Sequence, residues 1–381
     1  MNQHGVGIVQ TQYFHSNEPL CLSSGEILPH VTLAYETYGT LNDARDNAIL
    51  LLHALSGDAH AAGYHTAEDR KPGWWDAMVG PGRAFDTNKY FVICSNVLGG
   101  CKGSSGPLSI NPVTGARYAA DFPVVTIRDM VMAQVRLIDM LGIQELHAVA
   151  GGSMGGFQAL EWMAHHPTRL NNAILLATSA SHQAQAVAWN VIGRQAIMRD
   201  PKWRGGYYDV TDPPQDGLAV ARMIGHITYL SDVSLQHRFE KRYHAHTQPA
   251  FTLAAEFEVD AYLEHQARRF NERFDANSYI YITKAMDYWD LAHGYPSLAA
   301  ALSCWQKPTC IISFDSDWLY PTSESVKIAD AIRANGGHVD ITELHSIAGH
   351  DAFLLEYDAQ TPILQQFLAA PISAKTSIFR L

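Results

Sequence analysis

The sequence predicts an α/β fold, with a mostly parallel central sheet, helices on both faces and a helical lid inserted in the second half of the chain. Three observations predict it. Short, wholly apolar runs such as Ala48–Leu52 (AILLL) have the composition of strands buried on both faces. Segments with apolar residues at helical spacing alternate with those runs, the pattern of parallel strands joined by crossover helices. From about residue 180 to 300 the strand-like runs stop, and the chain becomes rich in Gln, His, Arg and aromatic residues.

Taken in order, residues 1 to about 40 read as β, because short runs such as VTLAY (31–35) sit between Asn-Glu-Pro, Ser-Gly and Tyr-Gly turn signals. Ala48–Leu52 ends in HALSG, a loop leaving a buried strand. A long polar and aromatic loop follows, then a second buried run at 90–94, which opens into a Gly/Ser-rich loop over 98–107. Ile127, Met130, Val131, Val135, Leu137, Ile138 and Leu141 recur at helical spacing, and Gly142 stops the helix. Further strands are expected at 173–178, Thr309–Phe314 and Val339–Leu344. Helices are expected at 184–198, 218–230, 323–334 and 362–368. The expected organisation is a core of residues 1–179 and 301–381 with a lid of residues 180–300. No Gly/Ser linker flanks the lid, so it should pack on the core.

Bulk properties exclude several classes. A chain of 381 residues, 47% hydrophobic, can bury a large core and a second module. Its net charge of −11 argues against nucleic acid or an anionic membrane as the main partner. Five cysteines without a C-x-x-C pair, two of them (Cys94 and Cys310) inside strand-like runs, fit a reduced, cytoplasmic protein. The opening MNQHGVGIVQ has no basic-then-apolar leader pattern, and no apolar run reaches 18 residues.

The chemistry centres on AVAGGSMGG (148–156). A small apolar run enters G-x-S-x-G and a helix-spaced segment leaves it, the setting of a nucleophile elbow. The turn is too sharp for flanking side chains, hence the glycines. It lifts the Ser153 hydroxyl over the sheet and aims the Met154 amide at a developing oxyanion. Such a serine needs a histidine as base and a carboxylate to hold the ring's tautomer, later in the chain in the order Ser, Asp/Glu, His. Asp315 and Asp317 both lie past the end of the 309–314 strand, and Asp317 is chosen because it is further into the loop. His350 is chosen over His345: it follows Ala348-Gly349, where the backbone can turn the ring, whereas His345 continues straight from a strand. His244 and His246 lack Cys or acidic partners at ligand spacing, so no metal site is expected there.

The chain resembles the homoserine O-acyltransferase family of the α/β-hydrolase fold along nearly its whole length. The matching stretches include LAYETYGTLN, LLHALSGDAHAAGYH, KPGWWDAMVGPG, SNVLGGCKGSSGP, VAGGSMGGFQALEW, ARMIGHITYLS, RRFNERFDANSYIYITKAMDYWD, FDSDWLYP and AGHDAFLLE. The resemblance implies catalytic Ser153, Asp317 and His350, oxyanion amides at Leu55 and Met154, and substrate contacts at Arg222 and Asp351. It also implies a helical lid whose helices join two subunits. A guanidinium suits the carboxylate of homoserine and Asp351 its ammonium. Read from residues alone, the alternatives are a lid salt bridge for Arg222 and a helix N-cap for Asp351, which could serve both as cap and as substrate contact. The implied reaction is ping-pong acyl transfer from acyl-CoA, as co-substrate, to L-homoserine, with no permanently bound cofactor and no metal. Succinyl users of this family tend to carry Arg two residues past the catalytic Asp; here that position is Leu319, which favours acetyl-CoA. Succinyl-CoA as donor, serine as acceptor, a plain esterase and a non-catalytic binding protein are the alternatives.

Overall fold

The computed structural model describes residues 5–370. Residues 1–4 of the stretch read for a leader, and residues 371–381 of the expected core, lie outside the described residues. An eight-stranded sheet organises the chain: β1 (Gln12–Ser16), β2 (Val31–Tyr38), β3 (Ala48–Leu52), β4 (Phe91–Ser95), β5 (Ala148–Gly152), β6 (Ala173–Leu176), β7 (Thr309–Phe314) and β8 (Val339–Leu344). Their spatial order is β1-β2-β4-β3-β5-β6-β7-β8. β1/β2 and β2/β4 pair antiparallel; every later pair is parallel, as the apolar runs required. β3, β5, β6 and β7 are buried along their whole length, flanked by apolar clusters on both faces.

Among the crossover helices, α1 (Ile127–Met140) starts at a capping box in which Thr126 and Asp129 satisfy each other's backbone amides. Asp129 also accepts from the Ser23 amide and hydroxyl at 2.8 Å, tying the helix start to the segment between β1 and β2. The elbow leads into α2 (Met154–His165). Between β6 and β7 lie α3 (Ala184–Arg199), α4 (Gln215–Tyr229), α5 (Asp232–Phe239), α6 (Glu258–Asn271) and α7 (Ala276–Asp287). The described residues close on α8 (Thr322–Ala334), β8 and α9 (Tyr357–Ala369). The last helix begins five residues before Pro362, not at it. Pro362 sits inside the helix, where its ring tolerates the α φ but donates no bond to the preceding turn. No helix among the described residues is long and apolar enough to cross a membrane.

The 3.6 period of 184–198 and 218–230 thus becomes α3 and α4, which pack against each other, with α6 on α4. No strand of the central sheet lies between β6 and β7.

Candidate active site

Ser153 sits at the junction of β5 and α2 with φ 56° and ψ −125°, a conformation that L-residues hold only under constraint. The two glycines of the motif are needed for packing. A Cβ on Gly151 would lie 2.3 Å from the Gly155 carbonyl oxygen, and one on Gly155 would lie 2.0 Å from the Leu52 carbonyl oxygen. These contacts are with backbone, which cannot swing aside, so α2 approaches β3 only because both positions lack side chains. The Ser153 amide donates to Leu176 at 3.0 Å and Thr178 Oγ1 donates to the Ser153 carbonyl at 2.8 Å, so the elbow is held from β6.

His350 lies in the loop after β8, and its Nδ1 pairs with Asp317 Oδ2 at 2.7 Å. Both residues are buried. The other oxygen of Asp317 accepts the Leu319 and Tyr320 amides at 2.9 and 3.0 Å, which fixes the carboxylate's orientation. Burial opposes the imidazolium most strongly. The charge and hydrogen bond of Asp317, with a further pull from Asp351, outweigh it and raise His350 above its ordinary value. The rejected pair finds another use: Asp315 bonds His345 Nδ1 and the Ser346 amide at the surface, away from the serine. They line a separate concavity of about 740 Å³ with Leu230, Trp318 and Ile347.

One cavity of about 710 Å³ is lined by Ser153, His350, Leu55, Arg222, Asp351 and Leu319 together. The Leu55 and Met154 amides donate no hydrogen bond among the described residues; Leu55 lines this cavity and Met154 directly follows Ser153. A buried network that sequence reasoning missed locks these two amides' elements together. Trp162 Nε1 donates to Gln134, Gln134 to Gln158, and Gln158 Nε2 to the His53 carbonyl just before Leu55. His53 Nε2 accepts the Val97 amide at 3.0 Å, so its proton is on Nδ1, facing the Ala54 carbonyl. Burial keeps that ring below its ordinary value, and the neutral tautomer persists.

Arg222, on α4, makes no salt bridge within 4.0 Å among the described residues, against the lid-bridge alternative. Its guanidinium lies 4.7 Å from the Phe270 ring centroid and 5.8 Å from that of Tyr229, and its buried Nε has no hydrogen-bond partner. Asp351 precedes the short helix Ala352–Leu355 but its side chain makes no capping bond. Burial pushes its carboxyl up, against the pull of His350 and Arg222. His244 and His246 lie on an exposed loop. A different group, Glu36, His60 and His65, brings three possible ligand atoms within 4.8 Å of one another. There the buried Glu36 carboxylate takes bonds from both imidazoles and from Thr11 and Tyr38. Burial works against its charge, but the bonds from His60 and His65 win and bring Glu36 down to about 2. His60 lines the cleft.

A nucleophile-elbow serine with a buried Asp–His pair at one cavity can carry out acyl transfer through a covalent ester. A family profile described as alpha/beta hydrolase fold matches residues 47–356, and the chain belongs to that fold family. Homoserine O-acetyltransferase of Methanobrevibacter ruminantium is 53% identical over 97% of this chain and 75% of its own length. The crystal structure of homoserine O-acetyltransferase from Bacillus anthracis superposes with a TM-score of 0.90 at 33% identity, covering 96% of this chain and 99% of that one. Esterase E22 superposes with a TM-score of 0.87 at 30% identity, over 95% of this chain and all of its own. Within the fold, the chain belongs to the homoserine O-acetyltransferase family.

Proposed function

We propose that the protein transfers the acetyl group of acetyl-CoA to the hydroxyl of L-homoserine, as a cytoplasmic enzyme of methionine biosynthesis. The observation that carries this reading is Arg222, a guanidinium without a carboxylate partner, in the same cavity as Ser153, His350 and Asp351. A zwitterionic amino acid supplies the two missing charges: its carboxylate for Arg222 and its ammonium for Asp351. A neutral ester supplies neither.

In the proposed mechanism His350 takes the Ser153 proton as Oγ attacks the thioester carbonyl. The tetrahedral oxyanion lies between the Leu55 and Met154 amides, each contributing about 3 kcal/mol to the transition state. The C–S bond breaks and the thiolate receives the proton from His350, leaving acetyl-Ser153. The homoserine hydroxyl then gives its proton to His350, attacks the ester, and the serine is regenerated. Water must be kept from the acyl-enzyme, and residues 180–300 are proposed as the lid that excludes it and as the contact between two subunits.

The test is thiol release from acetyl-CoA with and without homoserine. Release should depend on homoserine; an equal rate without it leaves an esterase, and full activity with serine in its place reassigns the acceptor. Leu319 lines the cavity and its amide is spent on Asp317, so its side chain is free to shape the acyl pocket. Acetyl-CoA is expected to be preferred over succinyl-CoA, and Leu319→Arg should move the ratio of the two kcat/KM values toward succinyl-CoA by about tenfold, one charge-assisted bond's worth. An unchanged ratio removes Leu319 from donor selection.

A further inference from the structure

The cleft holds more cationic charge than its acceptor requires. Homoserine brings one carboxylate, and Arg222 alone can fork both of its oxygens. Yet Arg273, just past the end of α6, brings a second guanidinium to the same cleft. Arg222 and Arg273 lie 4.7 and 5.3 Å from the Phe270 ring centroid. Neither has a carboxylate within 4.0 Å among the described residues. Arg273 spends one donor on the Ser56 carbonyl at 2.8 Å, next to Leu55. Its other N–H groups remain for something else. Burial first, and then the neighbouring Arg222, push its ionisation down, as expected of cations gathered without a counter-ion.

Two more cations line the same cleft: Arg269 on α6 and Lys71 on the facing loop. The acidic groups lining it are Asp351, next to His350, Asp58, which accepts the His60 amide, and Glu272, which is 3.7 Å from Arg269. In a chain of net charge −11, four cations (Lys71, Arg222, Arg269 and Arg273) thus outnumber the three carboxylates of this one cleft. Such an arrangement draws in a ligand with several negative charges and gains little from a monoanion.

We infer that Arg273, with Arg269 and Lys71, forms the subsite for the phosphates of the donor's nucleotide end. The inference rests on the acyl-CoA reading above, since the donor is then the one substrate bearing multiple anionic groups. The pantetheine arm would run from these phosphates past the Ser56–Leu55 loop to the serine. Because Arg273 also holds that loop, the subsite links donor occupancy to the position of one oxyanion amide.

The experiment compares acetyl-CoA with S-acetyl-N-acetylcysteamine, a thioester without phosphates, in Arg273→Gln, Arg269→Ala and Lys71→Ala. The ratio of kcat/KM for acetyl-CoA to that for the truncated thioester should fall about tenfold for Arg273→Gln, through KM, and less for Arg269→Ala and Lys71→Ala. In the unmodified protein, KM for acetyl-CoA should rise with added NaCl, and the dependence should flatten in the Arg269→Ala/Lys71→Ala double variant. Equal losses on both donors would make Arg273 a support of the loop alone and overturn the inference, as would no change in the ratio in any variant. A loss confined to succinyl-CoA would place Arg273 on the acyl group and also overturn it. Equilibrium binding of CoA against dephospho-CoA separates the two readings. If the protein binds CoA more weakly after Arg273→Gln but never turns over acetyl-CoA with homoserine, the phosphate subsite stands and the proposed reaction falls.

Discussion

Asp317→Asn is expected to lower kcat by about 10,000-fold while leaving the protein folded. The reason is specific to how this carboxylate is held. The Leu319 and Tyr320 amides both point at Oδ1. In the asparagine variant they keep the amide oxygen on their side and turn the NH2 toward His350. Nδ1 must then accept, the ring proton moves to Nε2, and the imidazole can no longer take a proton from Ser153. The pH profile adds a second reading. His350 acts as base only when neutral, and it titrates above its ordinary value because the charge and bond of Asp317, with Asp351, overcome the effect of burial. The unmodified enzyme should therefore lose activity as pH falls through a midpoint above the usual histidine value of about 6.5. In Asp317→Asn burial stays and the opposing pull goes, so the midpoint should move down. Burst kinetics of acyl-enzyme formation across pH, with thermal unfolding alongside, measure both. A variant within tenfold of the parent, or an acid limb that does not move, would remove Asp317 from the proposed role.

Arg222→Ala should separate the two half-reactions. Truncating one partner of a desolvated charge pair costs about 2–5 kcal/mol, a loss of roughly 30- to several thousand-fold in kcat/KM for homoserine. Acylation of Ser153 by acetyl-CoA should change far less, because the acceptor carboxylate is absent from that step. Arg222→Lys should recover only part of the loss, since an ammonium keeps the charge but not the planar fork. Single-turnover acylation against steady-state transfer provides the measurement. If both half-reactions fall together, Arg222 holds the lid in place and does not bind the acceptor.

The parts of the fold and site legible in the sequence were those whose cause is local. Ser153 was readable because the elbow's glycines answer a steric demand within five residues. The strands were readable because burial on both faces leaves only apolar runs. Asp317 was separated from Asp315 by two residues of loop, and His350 from His345 by a glycine. What pattern could not supply was the partner of each residue. Asp315 and His345 bond each other, a pairing across 30 residues that neither neighbourhood announces. Glu36 collects His60 and His65 from a loop whose shape follows no period. Arg273 becomes noticeable only when it and Arg222 are both found beside the Phe270 ring. The Gln134–Gln158–Trp162 network lies on apolar-patterned helices, where a lone glutamine reads as a surface residue until its partner is seen.

The order of the strands also bears on how the protein comes off the ribosome. Ser153 is translated with β5, but its proposed base, His350, arrives roughly 200 residues later, after all the helices between β6 and β7, on a loop beyond the last strand of the sheet. At about 5–20 residues per second, that interval is on the order of 10–40 s. Through it the nascent chain carries the strained serine turn without the imidazole that would activate it. The edge of β6 also stays open until β7 is made and can pair with it. The same delay leaves an apolar parallel edge exposed, so this stretch of synthesis is where the chain is most vulnerable to pairing with a second copy.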